Sequence, residues 1–307
     1  MRKIFVTGGA GFVPSSLIDK LLLDNNTIIV AMDNMRTGKI QNIHNHKNYI
    51  FIKGNVNCYK DLSEVMIAHN FDFVFHYAAL VGVKRTLNNP LEVLEDIDGF
   101  KNLLNLCKNT KVKHVYFSSS SEVYGEPVEF PQHESTTPLN AKLPYAIVKN
   151  IGEAYCKSYF QEHGLHYTIF RFFNTYGPKQ STDFVLSKFL NCAIKNDDIT
   201  IYGDGSQTRT FCYIDDNIEA TLTCLNKNLH VNNVINLGSA IETSILQLAK
   251  TVIKLTNSKS KIINLPALLE GDMTRRLPDN SQMLKLLNRD LVPLETGIQN
   301  IINTIKV

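Results

Sequence analysis

The sequence has no cysteine motif and little net charge. Its six cysteines are widely scattered and form no CxxC pair, which argues against a zinc site and against a disulfide framework. The formal net charge of +3 over 307 residues is too small to favour a nucleic-acid partner. We therefore expect neither a bound metal nor a nucleic acid among the partners of this chain.

Long apolar runs, internal repeats and low-complexity linkers are also missing. No uninterrupted apolar stretch approaches the length of a transmembrane helix, so no membrane partner is expected. The first residues are expected to enter a strand directly, without a signal peptide. Hydrophobic residues nevertheless make up 44% of the chain, which is enough for a full core. These features predict a soluble, cytoplasmic protein of one large domain or two modest ones.

The clearest motif of the sequence lies in the first thirty-three residues. A short apolar run at 3–7 is followed by the glycine-rich stretch 8–14, a helical pattern and a second apolar run that ends at Asp33. Strand, glycine turn, helix, strand and acid in this order predict a dinucleotide-binding βαβ unit. Gly8 would permit the tight turn, and Gly11 would let backbone N–H groups approach a pyrophosphate at the positive end of the helix.

Two further residues of this unit bear on the cofactor. Asp33 would accept hydrogen bonds from an adenosine ribose 2′-OH and repel a 2′-phosphate, which favours NAD over NADP. Arg36 lies nearby and weakens this inference. Pro14 stands where the pattern has its third glycine. A missing N–H costs little in a first helical turn, but the proline ring cannot pack against the strand as glycine does. The alternative is a glycine-rich turn with no cofactor.

The rest of the first half alternates apolar runs with helical patterns. Four further strands are expected at residues 49–52, 71–77, 114–117 and 167–170. One long helix is expected from Pro90 to about Asn109. This alternation, with short connections, predicts an α/β fold with a Rossmann-type doubly wound parallel sheet. The alternation loosens later, so we expect a Rossmann domain at 1–173. A smaller, mainly substrate-binding lobe would follow at 174–307, with segments that could return to the sheet.

Two stretches carry side chains suited to catalysis. The serine run Ser118–Gly125 follows the fifth strand, and the four-residue spacing of Tyr145 and Lys149 puts both on one face of a helix. A free phenol titrates at about pH 10, and a nearby ammonium and a positive nicotinamide would lower its pKa. Tyr145 could then remove a proton from a substrate hydroxyl held by Ser120, while hydride leaves the same carbon. Alone, the Tyr–Lys pair could simply lie on a surface helix.

Seven segments together are highly specific for one protein family, though less specific for its reaction. They are residues 7–12, 76–79, 118–125, 145–149, 171–178, 202–211 and 213–216. Through them nearly the whole chain resembles the extended short-chain dehydrogenase/reductases, in particular the NAD-dependent nucleotide-sugar epimerase/dehydratase family.

The resemblance implies roles for individual residues. The NAD-binding residues would be Gly8, Gly11, Phe12, Val13, Asp33, Asn34, Ala78, Ala79, Tyr145 and Lys149. The catalytic residues would be Ser120, Glu122, Tyr145 and Lys149. The residues that contact the nucleotide sugar would be Ser121, Asn174, Arg209 and Arg276. Both arginines would hold the diphosphate, a bidentate task that suits a guanidinium.

Some of these segments also have simpler interpretations. Without the resemblance, Arg209 is a solvated loop arginine beside glycines. Asp215 and Asp216 are expected to cap the helix that follows them rather than to act chemically. His76 lies on a buried strand and is expected to be a core histidine rather than a base.

The resemblance implies that the substrate is UDP-linked and that its sugar is first oxidised at C4, which gives a 4-keto intermediate and NADH. The default subtype is a 4-epimerase. Glu122 opens an alternative, because dehydratases and uronate decarboxylases also have glutamate before Val-Tyr-Gly and use chemistry at C5 and C6. Ser121 stands where 4,6-dehydratases usually carry an acid, so complete water elimination would lack its proton donor. Glu122 could instead be a structural carboxylate.

A function of another class is a non-catalytic dinucleotide-binding regulator. Pro14 favours this alternative, whereas Ser120, Tyr145 and Lys149 argue against it, because a sensor has no use for a proton-abstracting phenol. The resemblance also implies a homodimer formed through helices at about 91–108 and 145–163. The apolar residues Leu103, Leu104, Leu106 and Cys107 could form that interface or could equally cover the sheet of their own monomer.

Overall fold

The structure is a computed structural model that describes residues 1–266 and 275–305. Its strands are β1 Arg2–Thr7, β2 Thr27–Asp33, β3 Tyr49–Lys53, β4 Phe73–His76, β5 His114–Ser120, β6 His166–Phe172, β7 Thr175–Tyr176, β8 Ile199–Tyr202, β9 Thr208–Thr210, β10 Cys212–Tyr213, β11 Asn233–Leu237, β12 Glu242–Ser244 and β13 Ile262–Leu265. Its α-helices are α1 Phe12–Leu21, α2 Tyr59–His69, α3 Val83–Asn88, α4 Pro90–Leu94, α5 Asp96–Asn109, α6 Pro144–His163, α7 Val185–Lys195, α8 Ile214–Lys227, α9 Ile245–Thr256, α10 Ser281–Leu287 and α11 Leu294–Ile305.

Seven strands form the central sheet, in the order β11-β6-β5-β4-β1-β2-β3. The pairs β1–β2, β1–β4, β2–β3 and β4–β5 are parallel, with Val6 opposite Ala31 on one side and Phe75 on the other. The predicted Rossmann-type parallel sheet is confirmed. The chain runs outward from β1 to β3 and then returns to place β4 on the other side of β1. Ligands of open parallel sheets bind where the strand order reverses in this way, beyond the carboxyl ends of the strands.

The core covers both faces of this sheet. Ile4, Phe5 and Val6 of β1 are fully buried, as expected for a central parallel strand packed on both sides. On α5, Leu103, Leu104, Leu106 and Cys107 are at most 3% exposed and belong to the core. These four side chains therefore cover the sheet of their own monomer, and the interpretation that they form an interface is wrong.

Several predicted elements have other bounds than those observed, and two of these differences have a clear structural cause. The single helix expected from Pro90 is two helices, α4 and α5, because the amide of Asp98 donates to the carbonyl of Glu95, three residues back rather than four. Strand β5 continues three residues past the predicted Phe117, to Ser120. The serine at the middle of this extension, Ser119, can be buried because its hydroxyl donates to a carboxylate within 2.6 Å.

Two polar residues of the motifs have structural roles. His76 is 3% exposed, its Nδ1 lies 2.9 Å from Oγ1 of Thr7, and burial lowers the pKa of its imidazole to about 3. It is therefore a neutral core histidine, as predicted. Asp216 lies inside α8 and is fully buried, and it accepts hydrogen bonds from Arg289 and from the amide of Val292. The prediction that Asp216 caps the helix is wrong, because its carboxylate is used in this ion pair.

The chain divides into two compact units that alternate along the sequence. The first unit contains Met1–Gly125, Leu139–Arg171 and Thr221–Ile235, and the second contains Glu126–Pro138, Phe172–Ala220 and Asn236–Val307. Among the residues that the structure describes, no helix combines the length and the apolar character needed to cross a membrane. In the same part of the chain, no group of three or more histidine, cysteine or acidic side chains is arranged to hold a metal ion.

Candidate active site

The glycine turn after β1 lies against the loop after β4. Gly8 has a φ of +72°, which favours glycine, and its amide donates to the carbonyl of Met32. A Cβ atom built at Gly8 would lie only 2.9 Å from the backbone N and Cα of Ala78. Both the conformation and the close approach therefore require glycine here. The turn brings the predicted cofactor residues Gly8 and Ala78 together where the strand order reverses.

The start of α1 is suited to hold a phosphate. Gly11 precedes the helix in an extended conformation, and no side chain in the described residues caps this end. The amides of Phe12 and Val13, in the first turn, have no partner within the helix. Together with the positive end of the helix dipole, these amides are suited to bind an anion. The residues present therefore fit the pyrophosphate of a dinucleotide.

Pro14 occupies a position of α1 where its missing amide hydrogen costs no helical hydrogen bond. It is the third residue of the helix, and the first helical hydrogen bond comes from the amide of the next residue, Ser15. The carbonyl of Ala10, just before the helix, accepts from the amide of Lys39 at 3.0 Å and from Nδ2 of Asn42 at 2.8 Å. The proline ring is itself buried.

The acidic residue at the end of β2 is fixed beside the glycine turn. Asp33 is 8% exposed and accepts hydrogen bonds from the amides of Ala10 at 3.1 Å and Met35 at 2.7 Å. Burial raises the pKa of its carboxyl, and these two hydrogen bonds oppose the rise. Arg36 pairs with Glu92. The Arg36 guanidinium, which weakened the inference of NAD, is thus paired with the Glu92 carboxylate.

Helix α6 brings Tyr145 and Lys149 together. Lys149 is 2% exposed, and its Nζ lies 5.8 Å from the ring centroid of Tyr145 and 5.1 Å from that of Phe117. The same Nζ donates to the carbonyl of Ser118 at 2.7 Å, which ties the end of β5 to α6. Burial lowers the pKa of Lys149 to about 8, and the Asp96 carboxylate opposes this shift. The ammonium therefore remains charged at neutral pH, beside the phenol.

The serine run continues directly into a short 3-10 helix, Ser121–Tyr124. Ser120 caps this helix, because its Oγ accepts from the amide of Glu122 at 3.2 Å. Accepting this bond leaves the proton of the Ser120 hydroxyl available for a substrate. Ser121 is 2% exposed, and Glu122 is half-buried. Ser120 and Glu122 therefore lie on the segment that the Lys149–Ser118 bond attaches to α6.

The second unit holds the remaining predicted substrate residues. Arg209 lies on β9, which pairs with β12, and Glu242 of β12 forms a bidentate ion pair with Arg275 at 2.6 and 2.7 Å. This places Arg276, the next residue, near the strand pair that carries Arg209. The carbonyl of Asn174 accepts from the amide of Cys212, three residues beyond Arg209.

Asn174 has a feature that suits a ligand contact. Its φ is +35°, and its buried Nδ2 has no hydrogen-bond partner among the residues that the structure describes. A buried amide N–H₂ without a partner is costly, and a bound acceptor would remove the cost.

Sequence reasoning missed two carboxylates near this site, the half-buried Asp96 and the buried Glu153. Asp96 accepts from the amide of Leu80 at 2.9 Å and from Nδ2 of Asn57 at 3.2 Å, which fixes the loop after β4. Glu153 forms a buried ion pair with Arg171. A signal for Glu153 was present in the sequence, because it continues the four-residue spacing of Tyr145 and Lys149 along the same helical face.

Known proteins resemble this chain over almost its whole length. The profile of the NAD-dependent epimerase/dehydratase family matches residues 4–275. The UDP-N-acetyl-alpha-D-glucosaminuronate decarboxylase of Bacillus cytotoxicus is 35% identical over 281 residues, which cover 86% of this chain and 84% of that protein.

Two solved structures have the same fold. The UDP-glucose 4-epimerase of Thermotoga maritima, solved with UDP-glucose, is 29% identical with a TM-score of 0.91, covering 99% of this chain and 98% of that one. The UDP-glucuronic acid 4-epimerase of Bacillus cereus, solved with UDP-glucuronic acid and NAD, is 30% identical with a TM-score of 0.88, covering 99% of each chain.

Proposed function

This chain belongs to the NAD-dependent epimerase/dehydratase family, and from that premise we propose that it modifies a UDP-linked hexose by oxidation at C4. It is an NAD-dependent enzyme. The observation that carries the proposal is the buried Lys149 ammonium beside Tyr145, on a helix tied to the serine segment of β5. A non-catalytic regulator would not need this arrangement.

The cofactor-binding residues come from three loops of the first unit. The amides of Phe12 and Val13, beside Gly8 and Gly11, would hold the pyrophosphate. Asp33 and Asn34 would contact the adenosine ribose, and Ala78 and Ala79 would line the path of the dinucleotide. When bound, NAD accepts a hydride from the sugar and returns it. Support for NAD over NADP comes from the buried Asp33 carboxylate, which would repel a 2′-phosphate.

The side chains of this chain manage the proton and the substrate. Tyr145 removes the proton of the C4 hydroxyl, and the Lys149 ammonium stabilises the phenolate that performs this step. Ser120 donates a hydrogen bond to the same substrate oxygen and keeps its own proton. Arg209 and Arg276 hold the diphosphate, with Asn174 as an additional donor, and Ser121 contacts the sugar.

Two outcomes can follow the 4-keto stage. In 4-epimerisation the 4-keto sugar rotates in the site and receives hydride on its other face, and no carboxylate is needed at C5. In the second outcome, decarboxylation or dehydratase-like chemistry, Glu122 moves a proton at C5, which the ketone makes acidic. Support for the second outcome comes from the position of Glu122, half-buried and two residues after Ser120. We propose 4-epimerisation as the subtype, with Glu122-assisted chemistry as the alternative.

The experiment that separates these functions follows solvent deuterium by NMR. The protein is incubated in D2O with UDP-glucose, UDP-N-acetylglucosamine and UDP-glucuronate in turn. A C4-inverted sugar without deuterium supports epimerisation. Deuterium at C5, or carbon dioxide released from the uronate, supports the Glu122-assisted alternative. If none of the three sugars is converted or reduces bound NAD, the proposal of an enzyme on these UDP-sugars is wrong.

For Glu122→Gln we expect C4 oxidation at nearly the wild-type rate and any C5 exchange reduced about 100-fold, because an amide cannot move the proton. The measurement is the rate of reduced-nicotinamide absorbance with each sugar, set beside the deuterium content of the product. Glu126→Gln, an exposed glutamate in the following loop, is the matched control. Unchanged rates and unchanged deuterium in Glu122→Gln would show that Glu122 is a structural carboxylate.

We also propose that the chain forms a homodimer through α4 and α6. Leu91 and Leu94 of α4 are 78% and 39% exposed, and Ile147 of α6 is 38% exposed, so the two helices present apolar side chains to solvent. A partner that covered them would remove this apolar surface from water.

Leu91→Glu is expected to convert the dimer to a monomer, because it places a charge in the proposed interface. Leu23→Glu is the matched control, since Leu23 is also 78% exposed but lies at the end of α1. Light scattering after size exclusion measures the mass. A wild-type mass equal to one 34.7 kDa chain at micromolar concentration would contradict the dimer.

A further inference from the structure

A buried ion pair lies behind the serine segment. Glu153 of α6 and Arg171 of β6 are each about 1% exposed. Nε and Nη2 of the guanidinium donate to the two carboxylate oxygens at 2.9 and 2.7 Å. Removing two charges from water is expensive, so such a pair is weak evidence for stability by itself. Its hydrogen bonds to other residues therefore indicate what it does.

Those hydrogen bonds reach both flanks of the proposed catalytic segment. Oγ of Ser119 donates to Oε1 of Glu153 at 2.6 Å, directly before Ser120. Nη1 of Arg171 donates to the hydroxyl of Tyr124 at 2.8 Å, and the guanidinium lies 4.8 Å from the Tyr124 ring centroid. One ion pair thus binds the residue before Ser120 and the last residue of the 3-10 helix that carries Glu122.

The pair also connects this segment to the catalytic helix. Glu153 lies one turn beyond Lys149 and two turns beyond Tyr145, so the three side chains share one face of α6. Together with the bond from Lys149 to the carbonyl of Ser118, the segment is attached to this face at two points, and Arg171 of β6 adds a third attachment through Tyr124. Its contacts are buried, where hydrogen bonds and ion pairs are weakly screened by water.

We propose that the Glu153–Arg171 pair is a positioning element that fixes Ser120 and Glu122 relative to Tyr145. This inference rests on the proposed function of Ser120, Glu122 and Tyr145. Neither member of the pair needs to touch the sugar. Its effect on the rate comes from geometry, because a displacement of about 1 Å in a reacting group can cost about 100-fold.

The test removes each flank contact and leaves the ion pair in place. Ser119→Ala removes the bond to Glu153, and Tyr124→Phe removes the bond to Arg171. Tyr116→Phe, a 1% exposed tyrosine on the same strand, is the control. We expect the single-turnover rate constant for nicotinamide reduction to fall about 10-fold or more in both variants, with KM within about twofold. The control should keep the wild-type rate constant.

This rate constant separates positioning from folding. A loss of folded protein lowers the amplitude of the absorbance change but leaves the rate constant of the remaining active molecules unchanged. Arg171→Lys keeps the positive charge but loses the planar set of N–H donors, so its rate constant should also fall below that of the wild type. Wild-type rate constants in both Ser119→Ala and Tyr124→Phe would overturn the inference.

A second measurement does not depend on turnover. Amide hydrogen exchange at residues 120–124 should become faster in Ser119→Ala and Tyr124→Phe than in the wild type and in Tyr116→Phe. If the wild type converts no UDP-sugar, the proposed function fails while this exchange still reports on the attachment. Unchanged exchange at residues 120–124 would show that the pair does not hold the segment.

Discussion

Tyr145→Phe is expected to lower the rate of C4 oxidation by about 10²–10⁴-fold and to leave cofactor and nucleotide-sugar binding nearly unchanged. The reason is that phenylalanine keeps the ring beside the Lys149 ammonium but has no hydroxyl to accept the proton of the substrate. The measurement is the rate of reduced-nicotinamide absorbance with the best of the three UDP-sugars, together with a binding titration by calorimetry.

Tyr155→Phe is the control for this variant. Tyr155 lies on the same helix and is half-buried, but it is off the face that carries Tyr145 and Lys149. Removing the Tyr155 hydroxyl should leave the rate of C4 oxidation within about twofold of the wild type. A Tyr145→Phe variant that keeps the wild-type rate would show that another group removes the proton.

Lys149→Met has the second large effect, and it should change activity and stability in opposite directions. The loss of the ammonium that stabilises the phenolate is expected to lower the rate by about 10²–10⁴-fold. The unfolding free energy at pH 7 is expected to rise by roughly 1–3 kcal/mol, because burial makes the charged lysine costly and methionine is apolar with a similar shape. Equilibrium unfolding in urea measures the second effect.

The pH dependence follows from the same group. The pKa of Lys149 is lowered to about 8 from 10.5, so the unfolded chain binds this proton more tightly than the folded chain. The stability that a neutral Lys149 gives is fully present above pH 10.5 and is lost as the pH falls through 8. Wild-type stability should therefore gain from this group between about pH 8 and 10, and Lys149→Met should lack that gain. The kcat/KM of the wild type should decline above about pH 8, because the Lys149 ammonium loses its proton.

Lys108→Met is the control for both measurements. Lys108 is exposed near the end of α5, and its replacement should change the unfolding free energy by no more than about 0.5 kcal/mol. A Lys149→Met variant that is strongly destabilised at pH 7 would contradict the account, since it would show that the ammonium and its bond to Ser118 stabilise the fold.

Local sequence patterns predicted the site best where a feature is formed entirely by residues that are neighbours in the sequence. Strand β1, the glycine turn and α1 are contiguous, so composition and spacing were sufficient to predict them. The spacing of Tyr145 and Lys149 indicated a shared helical face, because four residues make about one helical turn. Strand β5 was predicted too short, since its last three residues are serines and the partner that buries Ser119 is 34 residues away.

Pairings between distant residues could not be predicted in this way. Asp216 was expected to cap its helix, and its actual partner, Arg289, is 73 residues further along the chain. The carbonyl of Ala10, in the glycine turn before Pro14, is paired by Asn42 from 32 residues away. A sequence pattern shows that a polar group needs a partner, but it does not show which distant group supplies it.

The sequence by itself determined the family, the dinucleotide cofactor and the Tyr145–Lys149 pair, because each is encoded in short segments whose spacing follows the geometry of one strand, turn or helix. Only the tertiary structure decided which charged groups are structural, such as Asp216 with Arg289 and Glu153 with Arg171. It also decided that Lys149 is buried enough to lower its pKa. The physical reason is that burial and ion pairing depend on which distant segments the fold brings together.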